Sequence, residues 1–324
     1  MPGSPQSAAL RPTALRTALA FAAVYLIWGS TYLAIRFAIE TIPPLLMAGT
    51  RFLLAGAGLY AWVVVRGQAT RPTRVEWGSA TLLGALFFLG GNGGVTWAEQ
   101  LVPSGLTSLV IATVPLWLTL IEWRRTRGAR PDAATSAGLL IGFAGVALLL
   151  GARGGPAGTE IPLLGGAVLL GADLCWAVGT IYAKHLPRPP SLLQTGAMQM
   201  LAGGALLCIA GAATGEIPRL RNAEFTARSL WALAYLTVAG SAIAFNAYAW
   251  LVQTTTPSRV GTYAYVNPIV AVLLGWAILD EPVTLRTVMA TLVILLGVAL
   301  VNVDWSATGV WARLPARLRP SRAS

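Results

Sequence analysis

Two opposite charges stand inside otherwise apolar stretches of this sequence, Arg51 and Asp173. A charge so placed avoids lipid and faces a helix bundle or a wet cavity, so the two either form a fixed salt bridge or grip a zwitterionic molecule between them. Trp28 and Trp176 offer aromatic walls, each with one indole N–H donor; their other role is to fill a core. Tyr263 and Asn267 are four residues apart and share a helix face beside Pro268. Asn92, in Gly90-Gly-Asn-Gly-Gly94, and Asn246, in Ala244-Phe-Asn-Ala-Tyr248, add amides that either meet a ligand or bridge helices. This set suits reversible binding of a small, partly polar organic molecule. It does not suit bond-making: there is no histidine cluster, no pair of catalytic acids and no activated nucleophile. His185 is the sole histidine and follows Lys184, with no metal-ligand constellation around it. The glycine run 90–94 lacks the lysine and hydroxyl of a phosphate loop. No catalytic residue, metal or cofactor is therefore expected.

The elements that must position these residues follow from composition. Apolar residues make up 56% of the 324 and charged residues 11%, against roughly 45–50% and 25% in soluble domains. The excess falls in ten blocks, near 16–35, 43–65, 76–96, 103–121, 134–151, 162–182, 192–212, 229–251, 258–279 and 285–302. A helix needs about 20 residues to cross about 30 Å of hydrocarbon, which most of these blocks reach or approach. The expected fold is an all-α polytopic membrane protein of ten transmembrane helices. Block one is read as a helix, not a cleaved signal, because it lacks a convincing small-residue cleavage site. Cys175 and Cys208 lie within predicted spans and read as small hydrophobes. At 1.5 Å per residue, Arg51 lies about 12 Å into the second span and Asp173 about 16 Å into the sixth, from the same face.

The net charge of +11 follows topology and not nucleic-acid binding. With the N-terminus inside, inner tails and loops carry sixteen of the Lys and Arg residues and the outer side seven, from Arg36 to Arg286. That is the bias of positive-inside orientation, and an even span count returns the C-terminus to the cytoplasm. The Arg-rich tail then needs no partner beyond anionic lipid. Glu99 and Glu281 fall in short outer connections and read as solvated loop acids.

The second half repeats the first. Trp28-Gly-Ser-Thr-Tyr32 is matched by Trp176-Ala-Val-Gly-Thr-Ile-Tyr182, and Trp97-Ala-Glu-Gln100 with Pro103-Ser104 by Trp250-Leu-Val-Gln253 with Pro257-Ser258. Pro115 parallels Pro268, and Gly145-Val-Ala-Leu148 parallels Gly297-Val-Ala-Leu300. Two five-helix units are expected over 16–151 and 162–303. Five spans per unit make the repeats inverted, which gives a carrier two related conformations. Pro103, Pro115, Pro257 and Pro268 are expected to kink the fourth and ninth helices and contribute to gating.

Trp28-Gly-Ser-Thr-Tyr32, Ala48-Gly-Thr-Arg-Phe52, Val102-Pro-Ser-Gly105 and Tyr263-Ala-Tyr-Val-Asn-Pro-Ile-Val-Ala-Val-Leu-Leu-Gly275, in this order and duplicated, resemble the EamA branch of the drug/metabolite transporter superfamily, in particular its bacterial inner-membrane members. The resemblance covers about 16–303. It implies inverted five-helix repeats and transport through a central cavity, commonly export of metabolites or amino acids. It also implies cavity or gate roles for Trp28, Trp176 and the 263–268 segment.

The expected function is thus secondary export of a small-molecule substrate by alternating access in a bacterial inner membrane, in contact with membrane lipid. Proton coupling through Asp173 is one energy source; exchange and facilitated diffusion are others. A channel and a membrane-embedded enzyme are the alternatives. Glycine content does not decide an oligomeric state.

Overall fold

Long apolar runs bounded by helix-capping turns leave the backbone one economical solution, the helix, which satisfies its own N–H and C=O groups without water. The computed structural model describes residues 14–126, 133–151, 161–255, 260 and 262–302, and these contain helices and no strand. The helices are α1 (Ala14–Ala38), α2 (Pro44–Val65), α3 (Arg74–Gly84, Ala85–Gly93 and Gly94–Ala98, end to end), α4 (Ser104–Arg125), α5 (Ala133–Leu150), α6 (Leu163–Ala183), α7 (Leu192–Ala213), α8 (Ala227–Leu251), α9 (Tyr263–Leu279) and α10 (Leu285–Asn302). Eight of them are long and apolar enough to cross a membrane; α9 is shorter at 17 residues, and α3 falls outside the eight.

Side chains fix the starts of five of these helices. Thr73 and Glu76 close a reciprocal capping box at α3. The hydroxyls of Ser191 and Thr226 accept from Gln194 N and Ser229 N at α7 and α8. At α2 the cap comes from far along the chain: Glu216, on a short helix after α7, accepts from Leu45 N at 3.2 Å and Leu46 N at 2.9 Å. At α4 Glu281 does the same, accepting from Ser104 N (2.7 Å), Ser104 Oγ (2.9 Å) and Gly105 N (2.9 Å). A carboxylate at a helix N-terminus satisfies orphan donors and complements the dipole. Glu281 is therefore a helix cap and not the solvated loop acid expected from sequence.

Two helix pairs pack most closely, α2 with α7 and α5 with α10. Glycine makes both approaches feasible. A Cβ on Gly49 would sit 3.0 Å from Gly204 O, and one on Gly297 only 2.4 Å from Gly142 N. Chain direction alternates, so the turns 39–43 and 99–103 and the connections after α7 and α9 gather at one end, called the far end. The turns 66–73 and 184–191 gather at the near end, where α1 begins. There Arg125 meets His185 Nε2 at 3.0 Å.

The α5–α10 contact predicts a measurable asymmetry between glycines. Gly297→Ala drives a Cβ into backbone and is expected to destabilise by about 1–3 kcal/mol. Gly58→Ala meets nothing within 4 Å in α2 and is expected to be neutral or to stabilise by about 1 kcal/mol. Thermal melts of the two purified variants against the wild type check the contrast; equal behaviour would refute it.

Candidate functional site

Local departures from α-helix geometry build the site. Ala23–Trp28 in α1, Ala85–Gly93 in α3 and Leu236–Ile243 in α8 are π-helical, a geometry that widens the turn and leaves carbonyls to be met by other donors. Side chains meet several of them: Trp28 Nε1 donates to Gly240 O at 3.1 Å, Asn92 Nδ2 to Phe87 O at 3.1 Å and Ser241 Oγ to Leu236 O at 3.1 Å. In α4 the helix breaks at 112–113. These segments, together with parts of α2, α6, α7 and α9, enclose a cavity of about 980 Å³, its open mouth included. The helices α5 and α10 take no part in its wall.

Seven of the eight residues expected from sequence to bind or gate line this cavity: Trp28, Arg51, Asn92, Asp173, Trp176, Tyr263 and Asn267. Asn246 does not; its Nδ2 donates to Ala242 O at 2.5 Å, within its own helix. Pro268 lies inside α9 and on the cavity wall. Pro115 follows the α4 break by two residues. Pro103 is the N-cap residue of α4 and kinks nothing, because proline is at home where a helix has not yet begun. Pro257 lies outside the described residues.

Arg51 and Asp173 are 4% and 1% exposed and are not paired with each other. The ion pair of Arg228 with Glu40, at 3.3 Å, lies elsewhere, on the surface. Arg51 Nε donates to Ser241 Oγ at 2.8 Å, and its guanidinium lies over the Phe52 ring, 4.7 Å from the centroid. Asp173 Oδ2 accepts from Thr113 Oγ1 at 2.7 Å, while Oδ1 is buried without a partner. The fixed salt bridge that sequence allowed is thus not formed. Each charge is oriented by a neutral hydroxyl, which leaves its remaining capacity free for something in the cavity.

Aromatic rings wall the side nearest the near end. Trp28 stacks with Tyr248 and Tyr263 at centroid distances of 5.1 and 5.6 Å, and Tyr248 meets Tyr263 at 5.8 Å. Tyr25 and Thr262 share a hydrogen bond just beyond. Trp176 packs on Phe87 at 5.0 Å. On the far side lies Glu99, fully buried, where a solvated acid was expected. Its turn is folded under Arg36, whose guanidinium donates to the Glu99 carbonyl, and neither carboxylate oxygen has a hydrogen-bond partner. Burial pushes the Glu99 carboxyl well above the usual carboxylate range; the charge of Glu281 adds to the rise, and Arg36 and Arg51 oppose it.

The model of the EamA-like transporter family matches residues 15–151 and 163–303. The chain belongs to the EamA-like transporter family. Within known proteins, "Uncharacterized inner membrane transporter YedA" of Escherichia coli (strain K12) is 39% identical over 285 residues, covering 86% of this chain and 88% of that one. "Uncharacterized transporter YvbV" of Bacillus subtilis (strain 168) is 28% identical over 291 residues, covering 89% and 92%. A solved crystal structure shares the fold with a TM-score of 0.61 at 21% identity, over 89% of this chain and 97% of that one. As an EamA-like transporter the chain is a membrane protein with multiple apolar helices.

Thr31 and Tyr32, which the sequence offers only as motif letters, and Thr113 and Ser241, which no motif contains, also have polar groups at or beside the cavity.

Glu99 generates a prediction with a definite sign. Its carboxyl is held protonated above the pH at which a free glutamate ionises, so the folded state loses stability as pH rises through the raised value. The wild-type melting temperature is expected to fall as pH climbs above about 4.5, the ordinary value, and Glu99→Gln to remove that component of the slope. Identical pH profiles for the two proteins would refute the assignment.

Proposed function

We propose that this protein is a secondary transporter that exports small organic metabolites, amino acids among them, across a bacterial inner membrane by alternating access. The observation that carries the reading is a cavity walled by eight helices in which a buried arginine and a buried aspartate stand unpaired among aromatic rings. A cavity that is mostly apolar, with a few oriented polar groups, suits a small organic molecule better than a bare stream of ions. Arg51 offers a donor fork for a carboxylate, and Trp28, Trp176 and Tyr263 offer faces for an apolar body.

The same proposal takes α1 to α10 as ten crossings in two inverted five-helix repeats, 16–151 and 162–303. Three pairings support it. The π-helical segments Ala85–Gly93 and Leu236–Ile243 are one repeat apart. The pairs α2–α7 and α5–α10, each joining equivalent helices, pack most closely. The start of α2 is held by Glu216 after α7, and the start of α7 is held in turn by the turn after α2: Gln194 accepts from Thr70 N at 3.1 Å and donates to Thr70 O at 2.7 Å. With the N- and C-termini cytoplasmic by the positive-inside rule, the Trp28–Tyr248–Tyr263 cluster is the cytoplasmic gate, and the cap of α4 by Glu281 is an outer latch. Rocking of one repeat against the other opens each in turn.

Counterflow in proteoliposomes, with a panel of amino acids and small organic metabolites, tests this reading. The wild type is expected to exchange a restricted subset saturably. Arg51→Gln is expected to lower that exchange by about 10–100-fold, as loss of a charge-assisted hydrogen bond does. Arg66→Gln, outside the cavity wall, should leave it unchanged. Folded, inserted protein that exchanges nothing in the panel, or conducts without saturation, defeats the proposal.

A further inference from the structure

The cavity wall holds an excess of acceptors, and two prolines are part of its cause. At the α4 break, Thr113 N donates to Val110 O at 3.0 Å and Leu116 N to Thr113 O at 2.8 Å. Pro115 has no N–H, so the Ile111 carbonyl, four residues earlier, loses its helical donor. In α9, Pro268 deprives the Ala264 carbonyl in the same way. Ile111 and Ala264 both line the cavity. So do Asp173 and Asn267, 1% and 6% exposed, each with a buried Oδ1 that has no partner. Two side-chain oxygens of the cavity lining thus have no partner and two backbone carbonyls lose their helical donor, and a buried polar atom left without a partner costs roughly 1–3 kcal/mol.

We propose that Asp173, Asn267 and the carbonyls of Ile111 and Ala264 form a binding site for a small monovalent cation in the wall of the transport cavity. The donor set is all oxygen, which selects hard cations and ammonium groups over soft metals. It carries one carboxylate charge, and among the described residues no group of three His, Cys, Asp or Glu side chains is placed to hold a metal ion; a divalent ion asks for more negative charge than this. Irregular backbone at membrane depth is tolerated where it lines a cavity, and unwound carbonyls in interrupted helices coordinate monovalent ions. Arg51, unpaired with Asp173 and anchored on Ser241, keeps the opposite charge of the cavity apart from the site. Two occupants share this chemistry, a sodium ion and the ammonium group of an organic substrate. The site deepens the transport reading and rests on it for its role, but binding is measured without transport, so the two fail separately.

The test uses the full chain in lipid nanodiscs and its intrinsic tryptophan fluorescence, since Trp176 lines the cavity one turn from Asp173. Sodium chloride replaces choline chloride at constant ionic strength, and methylammonium chloride does so in a parallel titration. A saturable response is expected that is lost in Asp173→Asn and weakened about tenfold in Pro115→Ala, because alanine supplies the N–H that the Ile111 carbonyl lacks. Pro115→Ala removes a helix breaker, so its effect does not come from misfolding. A response to sodium assigns an inorganic ion; a response to methylammonium alone assigns the amino group of a substrate. Wild-type protein that melts cooperatively yet responds to neither, or a response unaltered by Asp173→Asn or by Pro115→Ala, overturns the site.

Discussion

Inside hydrocarbon a backbone N–H or C=O has no water to turn to, and each one left alone costs several kcal/mol. Regular helix is the default answer, and this chain departs from it in few places. The π-helical stretches of α1, α3 and α8, the break in α4 and Pro268 in α9 all border the same cavity. Irregular backbone and open space depend on each other here. A break facing lipid would be too costly, and a bundle of unbroken helices would leave fewer polar groups to meet a ligand. Some freed carbonyls are patched from within, by the Trp28 indole, the Asn92 amide and the Ser241 hydroxyl.

The same economy governs the ends of the bundle. Helix N-termini need acceptors for their first N–H groups. At α2 and α4 those acceptors are carboxylates from remote connections, so a local requirement becomes a tie between distant parts of the chain. Glycines perform the converse service along the helices. They let α2 meet α7, and α5 meet α10, at backbone distance, and the cavity opens beside the first pair and away from the second.

Much of the site was legible because residue type and depth are both sequence properties. A charge or a central tryptophan in an apolar run of known length has few places to go, so Trp28, Arg51, Asp173 and Trp176 were found by position alone. Asn92, Tyr263 and Asn267 were found by their helix faces and repeat partners. Asn246 shared the repeat signal and still turned to its own helix, since an amide in a helix has the i−4 carbonyl within reach. Glu99 and Glu281 were misread because loop position implies solvent only until another element covers the loop. The π-helical segments had no sequence signal, because one extra residue in a turn leaves apolar periodicity almost unchanged.

The sequence by itself determined the medium, the all-helical backbone and the family, because these depend on long apolar runs and ordered motifs that need no third dimension. Tertiary structure alone decided who meets whom. It left Arg51 and Asp173 apart, each on its own hydroxyl, and turned two loop acids into a helix cap and a buried carboxyl. It also brought the side-chain oxygens of Asp173 and Asn267, from distant segments, to the lining of one cavity without a partner for either Oδ1. The reason is physical: burial and hydrogen-bond satisfaction are properties of a residue's surroundings, and in a bundle those surroundings come from residues tens to hundreds of positions away.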